Sequence, residues 1–361
     1  TGGYPSPHVC SFRERMLVVG RPLSESAIRQ YAAEIREAVV RHDLTFFEAV
    51  TVLAMYAFRA DGVEMAVMEV GLGGRLDATN VVSPEVTAVT NVAMDHSDYL
   101  GDTLAAIARE KAGIIKPGVP FFTAETDPEI RAIMRGLAEA AGAPFVAVEA
   151  PADSDVQVDD AHTTLTVETA PWGRLTIRTP LVGYHQAANA ALAVKMLEEL
   201  DEPWRPDADE VLEGFASVVY HGRDEIARLD GRTWLFDVAH NTAGIHSLVD
   251  TIDRLELQRP LVGLIGVLGD KDWHTMLPPL LSRMDAAFLT QPPSAPAERR
   301  WDPVEVADQV DSLTVVRVVE DFVEAMRRAA ERAGQGTVVV TGSVHTVGSA
   351  MRLLGLDPLG E

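Results

Sequence analysis

Short apolar runs alternate with amphipathic helical stretches along almost the whole chain, and that alternation admits few folds. Apolar runs at 65–70, 86–92, 120–124 and 144–148 lie among helical patterns near 25–40, 45–58, 103–113 and 128–141. A strand that feeds a helix and then another strand is the unit of a parallel sheet, so the expected class is α/β with mainly parallel sheets. The alternation restarts in the last third, with runs at 233–238, 261–267, 286–290, 314–319 and 337–341. Between the two series, residues 155–180 alternate with period two around Pro171-Trp172-Gly173, the pattern of an antiparallel hairpin, and a helix follows near 185–200.

A length of 361 residues exceeds what one hydrophobic core commonly supports. The acidic, proline-rich "DEPWRPDADE" at 201–210 and the following "YHGRDE" at 220–225 mark the expected boundary, giving domains 1–220 and 221–361. A net charge of −23 argues against sequence-independent binding to nucleic acid or an anionic membrane. Cys10 is the single cysteine, so neither an intrachain disulfide nor a cysteine zinc site is available, as suits a cytoplasmic protein. The longest apolar stretch, "AVTVLAMYAF" at 49–58, is too short to span a bilayer.

Several polar residues fall at or just past the carboxyl end of an expected parallel strand: Glu69, His96, Asp237, Thr290 and Gly342-Ser343. Ligands of open α/β sheets bind along that edge. After the expected buried strand Ala66-Val67-Met68, Glu69 is either an ion-pair partner or a ligand for a hard cation. The turn behind it, "GLGGRL", has Leu76 where a dinucleotide fingerprint needs its third glycine. His96 alone reads as structural. With Glu69 it makes a Mg²⁺ pair, since that ion takes one or two protein ligands and keeps water.

Lys111 continues the apolar stripe of Leu104, Ile107 and Ala108. It is one of four lysines among 31 basic residues. Such a lysine either snorkels or does chemistry that arginine is unable to do. A buried amine with a lowered pKa reacts with CO₂ to give a carbamate, an anion able to hold a second Mg²⁺. In "FDVAHN" at 236–241, Asp237 and His240 stand beside Asn241, which also suits a helix cap. Arg223 in "GRDE" is a surface ion pair or a hinge cation that reaches a triphosphate between domains. "GYHQAANAALA" at 183–193 sets His185, Gln186 and Asn189 on the first turns of a helix.

Taken together these strings resemble the folylpolyglutamate synthase / dihydrofolate synthase family of the Mur ligase superfamily. The matching segments run nearly end to end: "SPHVCSFRERM" at 6–16, "TFFEAVTVLAMYAF" at 45–58, "MEVGLGGRLDATN" at 68–80 and "MDHSDYLGDTLAAIAREKAGIIKPG" at 94–118. They continue with "HQAANAALA", "GR" at 222–223, "DVAHN", "DKD" at 270–272 and "TGSVHTVG" at 341–348. The resemblance implies a Mur-ligase-like ATPase domain with a mainly parallel sheet, followed by a smaller Rossmann-like α/β domain. It implies an ATP-dependent amide ligase that joins L-glutamate to dihydropteroate or a folate through an acyl phosphate, and a monomer.

By position, Glu69 and His96 match the Mg²⁺ ligands and Lys111 the carbamylated lysine. Asn189, Arg223 and Asp237 match nucleotide contacts. Phe47 and Asp77-Ala78 match the loops that hold the pterin. His240 matches a residue beside the incoming glutamate. Three departures accompany the match. His221 replaces the proline before Gly222, and Val238 replaces the glycine of "DGAHNP", where it is expected to crowd a close backbone approach. Nothing matches the family's phosphate loop, which lies upstream of "SPH". Thr1 therefore reads as the start of a piece of a longer protein, inactive by itself. The alternative is a non-catalytic pterin- or glutamate-binding homologue without that loop. A peptidoglycan-precursor ligase would need a further N-terminal sugar-nucleotide domain.

Overall fold

The computed structural model describes residues 1–310, 314–357 and 359. The chain forms two compact units, one of Thr1–Ala147 with Glu199–Trp204, the other of Val148–Glu198 and the chain from Arg205 onward. This packing division therefore sets the 155–180 hairpin and its following helix with the second unit, whereas the expected boundary stood at 220.

In the first unit β1 (Gly2–Tyr4), β2 (Leu17–Val18) and β3 (Arg21–Pro22) precede the helices α1 (Glu25–Arg41) and α2 (Phe46–Ala60) and the strand β4 (Ala66–Met68). The order is β3-β2-β1-β4, with β1 parallel to β4 and antiparallel to β2. The antiparallel part is the minority component of a mainly parallel expectation. "GGY" has little strand propensity, and β1 exists because β4, far along the chain, pairs with it. The expected burial of 66–68 is corrected too: β4 is an edge strand, with Val67 74% exposed. The next strands, β5 (Thr87–Val89), β6 (Phe121–Thr123) and β7 (Phe145–Ala147), form a separate parallel sheet. Helices α3 (Ser97–Leu100), α4 (Leu104–Ala112) and α5 (Pro128–Ala141) connect them.

Local chemistry starts and stops these helices where the pattern requires. Thr45 and Glu48 form a reciprocal capping box ahead of α2, and Thr103 accepts from the Ala106 N–H at the start of α4. Helix α5 opens on Asp127-Pro128 and closes on Gly142 at φ 69°. One core gathers Tyr4, Met16, Leu53, Ala57 and Phe58, and a second gathers Val89, Ala108, Phe121, Ile130 and Met134. Each large side chain fully buried there contributes about 1.5–3 kcal/mol.

The second unit begins with an antiparallel sheet of β8 (Val156–Val158), β9 (Thr163–Thr169) and β10 (Gly173–Thr179), one strand more than the expected hairpin. Helices α6 (Tyr184–Glu198) and α7 (Ala208–Ala216) follow. Then come β11 (Glu225–Leu229), β12 (Arg232–Phe236), α8 (Thr242–Arg254), β13 (Leu261–Ile265), α9 (Trp273–Leu281), β14 (Ala286–Leu289), α10 (Pro303–Gln309), β15 (Val315–Val318), α11 (Phe322–Ala333), β16 (Thr337–Thr341) and α12 (Val344–Leu353). The sheet order is β11-β12-β16-β13-β14-β15, parallel except at β11. β11 has no counterpart among the expected strands, because "EIARL" lacks a clean alternation. The central strands β13, β14 and β16 are buried throughout, as strands covered on both faces must be.

Candidate functional site

Glu69 follows directly on β4. Its N–H donates to the Tyr4 carbonyl at 3.0 Å, extending the β1–β4 ladder by one residue. Its exposed carboxylate accepts from the Ser6 N–H at 2.7 Å. The acid is thus held at a strand end on the surface of the unit.

The glycine turn that follows is shaped by close approach. A methyl group on Gly71 would stand 2.3 Å from the Phe47 ring, and one on Gly74 2.7 Å from the Lys111 carbonyl oxygen. One on Gly113 would meet Arg75 at 2.3 Å. Gly71 lets the loop lie against α2, and Gly74 and Gly113 let it lie against the C-terminal end of α4, where Arg75 N–H donates to the Glu110 carbonyl at 2.9 Å and its guanidinium pairs with the Glu110 carboxylate. Asn80 Nδ2 donates to the carbonyls of Arg75 and Gly113, each at 3.1 Å. Leu76, the residue that broke the dinucleotide fingerprint, is 81% exposed.

Asp77 is the knot of this loop. Its Oδ2 accepts from the N–H groups of Gly71 and Leu72, and its Oδ1 from the N–H and hydroxyl of Thr79. Ala78 begins the short 3-10 turn that Asp77 caps. Phe47 packs on Gly71 and near Tyr4, ring centroids 6.0 Å apart, as a half-buried member of the core. Its neighbour Phe46 is 65% exposed and presents the more accessible ring. The sequence reading missed it because adjacent helical residues face different directions, and only packing shows which one the core takes.

His96 is exposed at the start of α3, with a left-handed backbone at φ 51°. Asp95 accepts from its N–H at 2.9 Å. The same Asp95 faces Lys111 electrostatically. Burial lowers the pKa of Lys111 below the usual amine value, and Asp95 partly opposes that shift. Asp95 is therefore the residue common to His96 and Lys111. Asp95 stands next to His96 in "MDHSD", where its residue type and position give no sign of the lysine it faces.

In the second unit, Asp237 follows β12 and is buried. Its Oδ1 accepts from the Ala239 N–H at 2.8 Å and its Oδ2 from the Asp224 N–H at 3.0 Å. The Val238 N–H donates to the Gly222 carbonyl at 2.9 Å, and the Val238 side chain is buried, so the close approach accommodates it. Gly222 has φ 66°, and Arg223 lies over the Tyr220 ring at 5.3 Å. His240 Nδ1–H donates to the Val238 carbonyl at 2.9 Å, which leaves Nε2 as the ring nitrogen not engaged in that bond. Asn241 caps α8 through the Gly244 N–H.

On α6, Asn189 is exposed and donates to Gln186 Oε1 at 3.2 Å, and Gln186 lies 3.0 Å from His185 Nε2. Burial, with Arg223 adding to it, pushes the His185 pKa down to about 4. Two strand-end residues have packing roles instead. Thr290 is buried, its carbonyl accepting from Trp301 Nε1. Ser343 caps α12 and donates to the Gly266 carbonyl. Among the described residues, no group of three or more His, Cys, Asp or Glu gathers in metal-binding fashion, and no helix is long and apolar enough to cross a membrane. A Mg²⁺ held by one carboxylate and one imidazole needs no such group.

Residues 23–197 match the family model for the Mur ligase middle domain, and residues 222–344 that for the Mur ligase glutamate ligase domain. Those two modules in that order define a Mur-type ligase. Over 98% of its length the chain is 35% identical to the dihydrofolate synthase/folylpolyglutamate synthase of Escherichia coli K12, covering 80% of that protein. Against the folylpolyglutamate synthase of Lacticaseibacillus casei it is 30% identical over 98% of its length, covering 83% of that protein. Its structure is similar to that of Mycobacterium tuberculosis folylpolyglutamate synthase complexed with ADP, with TM-score 0.87 and 33% identity, covering 99% of this chain and 84% of that one. It is also similar to the Escherichia coli FolC structure in complex with DHPP and ADP, with TM-score 0.83 and 31% identity, covering 98% of this chain and 82% of that one. The chain belongs to the dihydrofolate synthase/folylpolyglutamate synthase family.

Proposed function

We propose that the chain adds L-glutamate to dihydropteroate or a folate as an ATP-dependent amide ligase. ATP phosphorylates the acceptor carboxylate, and the glutamate amino group then displaces phosphate from the acyl phosphate. The observation that carries the reading is the lock between loop 71–80 and the end of α4, where Arg75, Gly74 and Gly113 join the loop beside Glu69 to the helix turn that bears Lys111.

Glu69 and His96 are the residues that would hold Mg²⁺, and Lys111, as its carbamate, would hold a second. The donor chemistry fits, because an exposed carboxylate and an imidazole suit an ion that keeps most of its waters, and burial favours the neutral amine with which CO₂ reacts. The bound ions would neutralise phosphate charge. Asn189, Arg223 and Asp237 are assigned to the nucleotide, with the Arg223 guanidinium suited to phosphate. Phe47 and Asp77-Ala78 shape the pterin loops, with Phe46 as the exposed ring. His240 Nε2 is assigned to the side of the incoming amine, where a neutral imidazole accepts a proton. The work of these groups is positioning and charge neutralisation. Domains 1–220 and 221–361, a cytoplasmic location and a monomer belong to the same reading.

The test is phosphate release that requires ATP, Mg²⁺, L-glutamate and either dihydropteroate or a reduced folate. It is measured on this chain and on the chain extended at Thr1 by a phosphate-loop segment. Turnover by the extended chain supports the ligase. A folded extended chain that binds dihydropteroate and releases no phosphate overturns it in favour of the non-catalytic binding homologue.

A further inference from the structure

Asp224 follows Arg223 in the turn that leads into β11, and its carboxyl has no obvious reason to be where it is. The residue is fully buried, and its backbone takes a left-handed conformation at φ 47°. Its Oδ2 accepts from the Thr251 hydroxyl on α8 at 2.6 Å. Its Oδ1 is buried with no donor in reach. Its own N–H donates to the Asp237 carboxylate at 3.0 Å, so two buried carboxyls stand side by side.

Two buried carboxylates in contact repel strongly, and a proton on one of them turns the repulsion into a charge-assisted O–H···O⁻ bond. The donors decide which of the two carries it. Asp237 accepts two backbone N–H bonds, from Ala239 and from Asp224 itself, and such bonds favour the ionised form. Asp224 accepts only one hydroxyl bond, and its second oxygen is the atom that lacks a partner.

We propose that Asp224 is a neutral carboxylic acid in the folded protein, that its Oδ1–H donates to the Asp237 carboxylate, and that this shared proton holds the Arg223 turn against β12 and α8. The proton follows from packing alone, whereas its value for nucleotide binding rests on the ligase reading. Burial and the Asp237 charge both push the Asp224 pKa well above the usual carboxylate range, against the Thr251 hydroxyl and the Arg223 charge. The other titratable groups about the pair are Glu225 and His221 on the same turn, His240 beyond β12, Asp250 on α8 and His185 on α6. His185 feels both the Asp250 charge and the Arg223 charge.

Asparagine imitates the neutral acid. In Asp224→Asn the amide NH₂ donates to Asp237, the amide oxygen accepts from Thr251, and the left-handed backbone suits the residue. Raising a folded-state carboxyl pKa makes the native state bind more protons than the unfolded one. Stability from that group is then full below the unfolded value and is lost as pH rises toward the folded value. Relative to Asp224→Asn, the wild-type unfolding constant should rise about tenfold per pH unit between about pH 4 and the raised pKa of the pair. Asp224→Ala should be weaker than Asp224→Asn at every pH, because it loses both the bond from Thr251 and the bond to Asp237.

The direct measurement is an infrared difference spectrum of the full chain, wild type minus Asp224→Asn, at neutral pH in D₂O. A C=O stretch of an un-ionised carboxyl is expected. Its absence, or parallel pH–stability curves for wild type and Asp224→Asn, overturns the proposal. Should Asp224→Asn fail to fold, ¹³C-carboxyl NMR of the aspartate-labelled wild type takes its place. One carboxyl carbon still protonated at neutral pH supports the proposal, and all carboxyls ionised overturns it.

Discussion

Gly71→Ala tests whether the glycine loop is held by an aromatic ring or by its own backbone. The added carbon would stand 2.3, 2.6 and 2.8 Å from three atoms of the Phe47 ring. Comfortable carbon contacts lie near ~3.5 Å, so the ring has to retreat by about 1 Å. It is restrained on one side by Tyr4 and through its backbone by the Thr51 hydroxyl, which donates to the Phe47 carbonyl at 2.9 Å. Its exposed side leaves room for part of the movement. Overpacking of this kind costs about 1–3 kcal/mol, and the half-buried ring argues for the lower part of that range. Phe47→Ala removes the obstacle. In that background Gly71→Ala should cost less than ~0.5 kcal/mol, so the two substitutions are strongly non-additive. Urea denaturation of the wild type, both single variants and the double variant measures the coupling. An equal cost of Gly71→Ala in both backgrounds would refute the ring as the cause and place the strain in the amides that Asp77 binds.

Other outcomes follow from the same geometry. Asp77→Asn keeps one acceptor oxygen and turns the other into a donor facing N–H groups, so unfolding should cost about 1–3 kcal/mol less in a denaturant titration. Glu69→Gln should leave stability within about 0.5 kcal/mol, because the Ser6 N–H keeps its acceptor, while Mg²⁺-dependent phosphate release by the chain extended with a phosphate-loop segment falls roughly a hundredfold. Lys111→Arg retains charge and loses the nucleophilic amine. A ¹³C carbamate signal under labelled CO₂ should be present in the wild type and missing in the variant, and a variant that keeps the signal would disprove the assignment. His185, with its pKa near 4, is neutral in the folded protein and binds a proton more readily when unfolded. Its contribution to stability should therefore rise from about pH 4 to about 6.5 and then level off, a slope that His185→Gln should flatten in pH-dependent thermal melts.

The parts of the fold legible in sequence were those whose cause is local. Thr45 with Glu48, Asp127-Pro128 and Gly142 mark helix ends through bonds within a few residues, and the apolar runs of β13, β14 and β16 announce burial on both faces. β1 was illegible because three residues beginning with two glycines become a strand only through pairing with β4. The burial of β4 was misjudged for the same reason. Ala-Val-Met reads alike in a sheet centre and on a sheet edge, and neighbour strands decide which it is. The candidate site divides the same way. Glu69, His96, Lys111, Asp237 and His240 stood out by residue type at strand and helix ends. Asp95 and Asp224 did not, because a single aspartate in a polar string carries no mark of what will face it.

The order of residues by itself determined which groups this protein has for ligase chemistry, the family they belong to and the glycines its loops require, because those depend on residue identity and short spacing. Tertiary structure alone decided that Asp77 ties the loop to its own amides, that Asp95 faces Lys111 and that Asp224 is buried against Asp237. Each of those facts depends on which distant segments exclude water from a side chain and what charge they leave beside it. Desolvation and charge proximity exist only once the chain has packed.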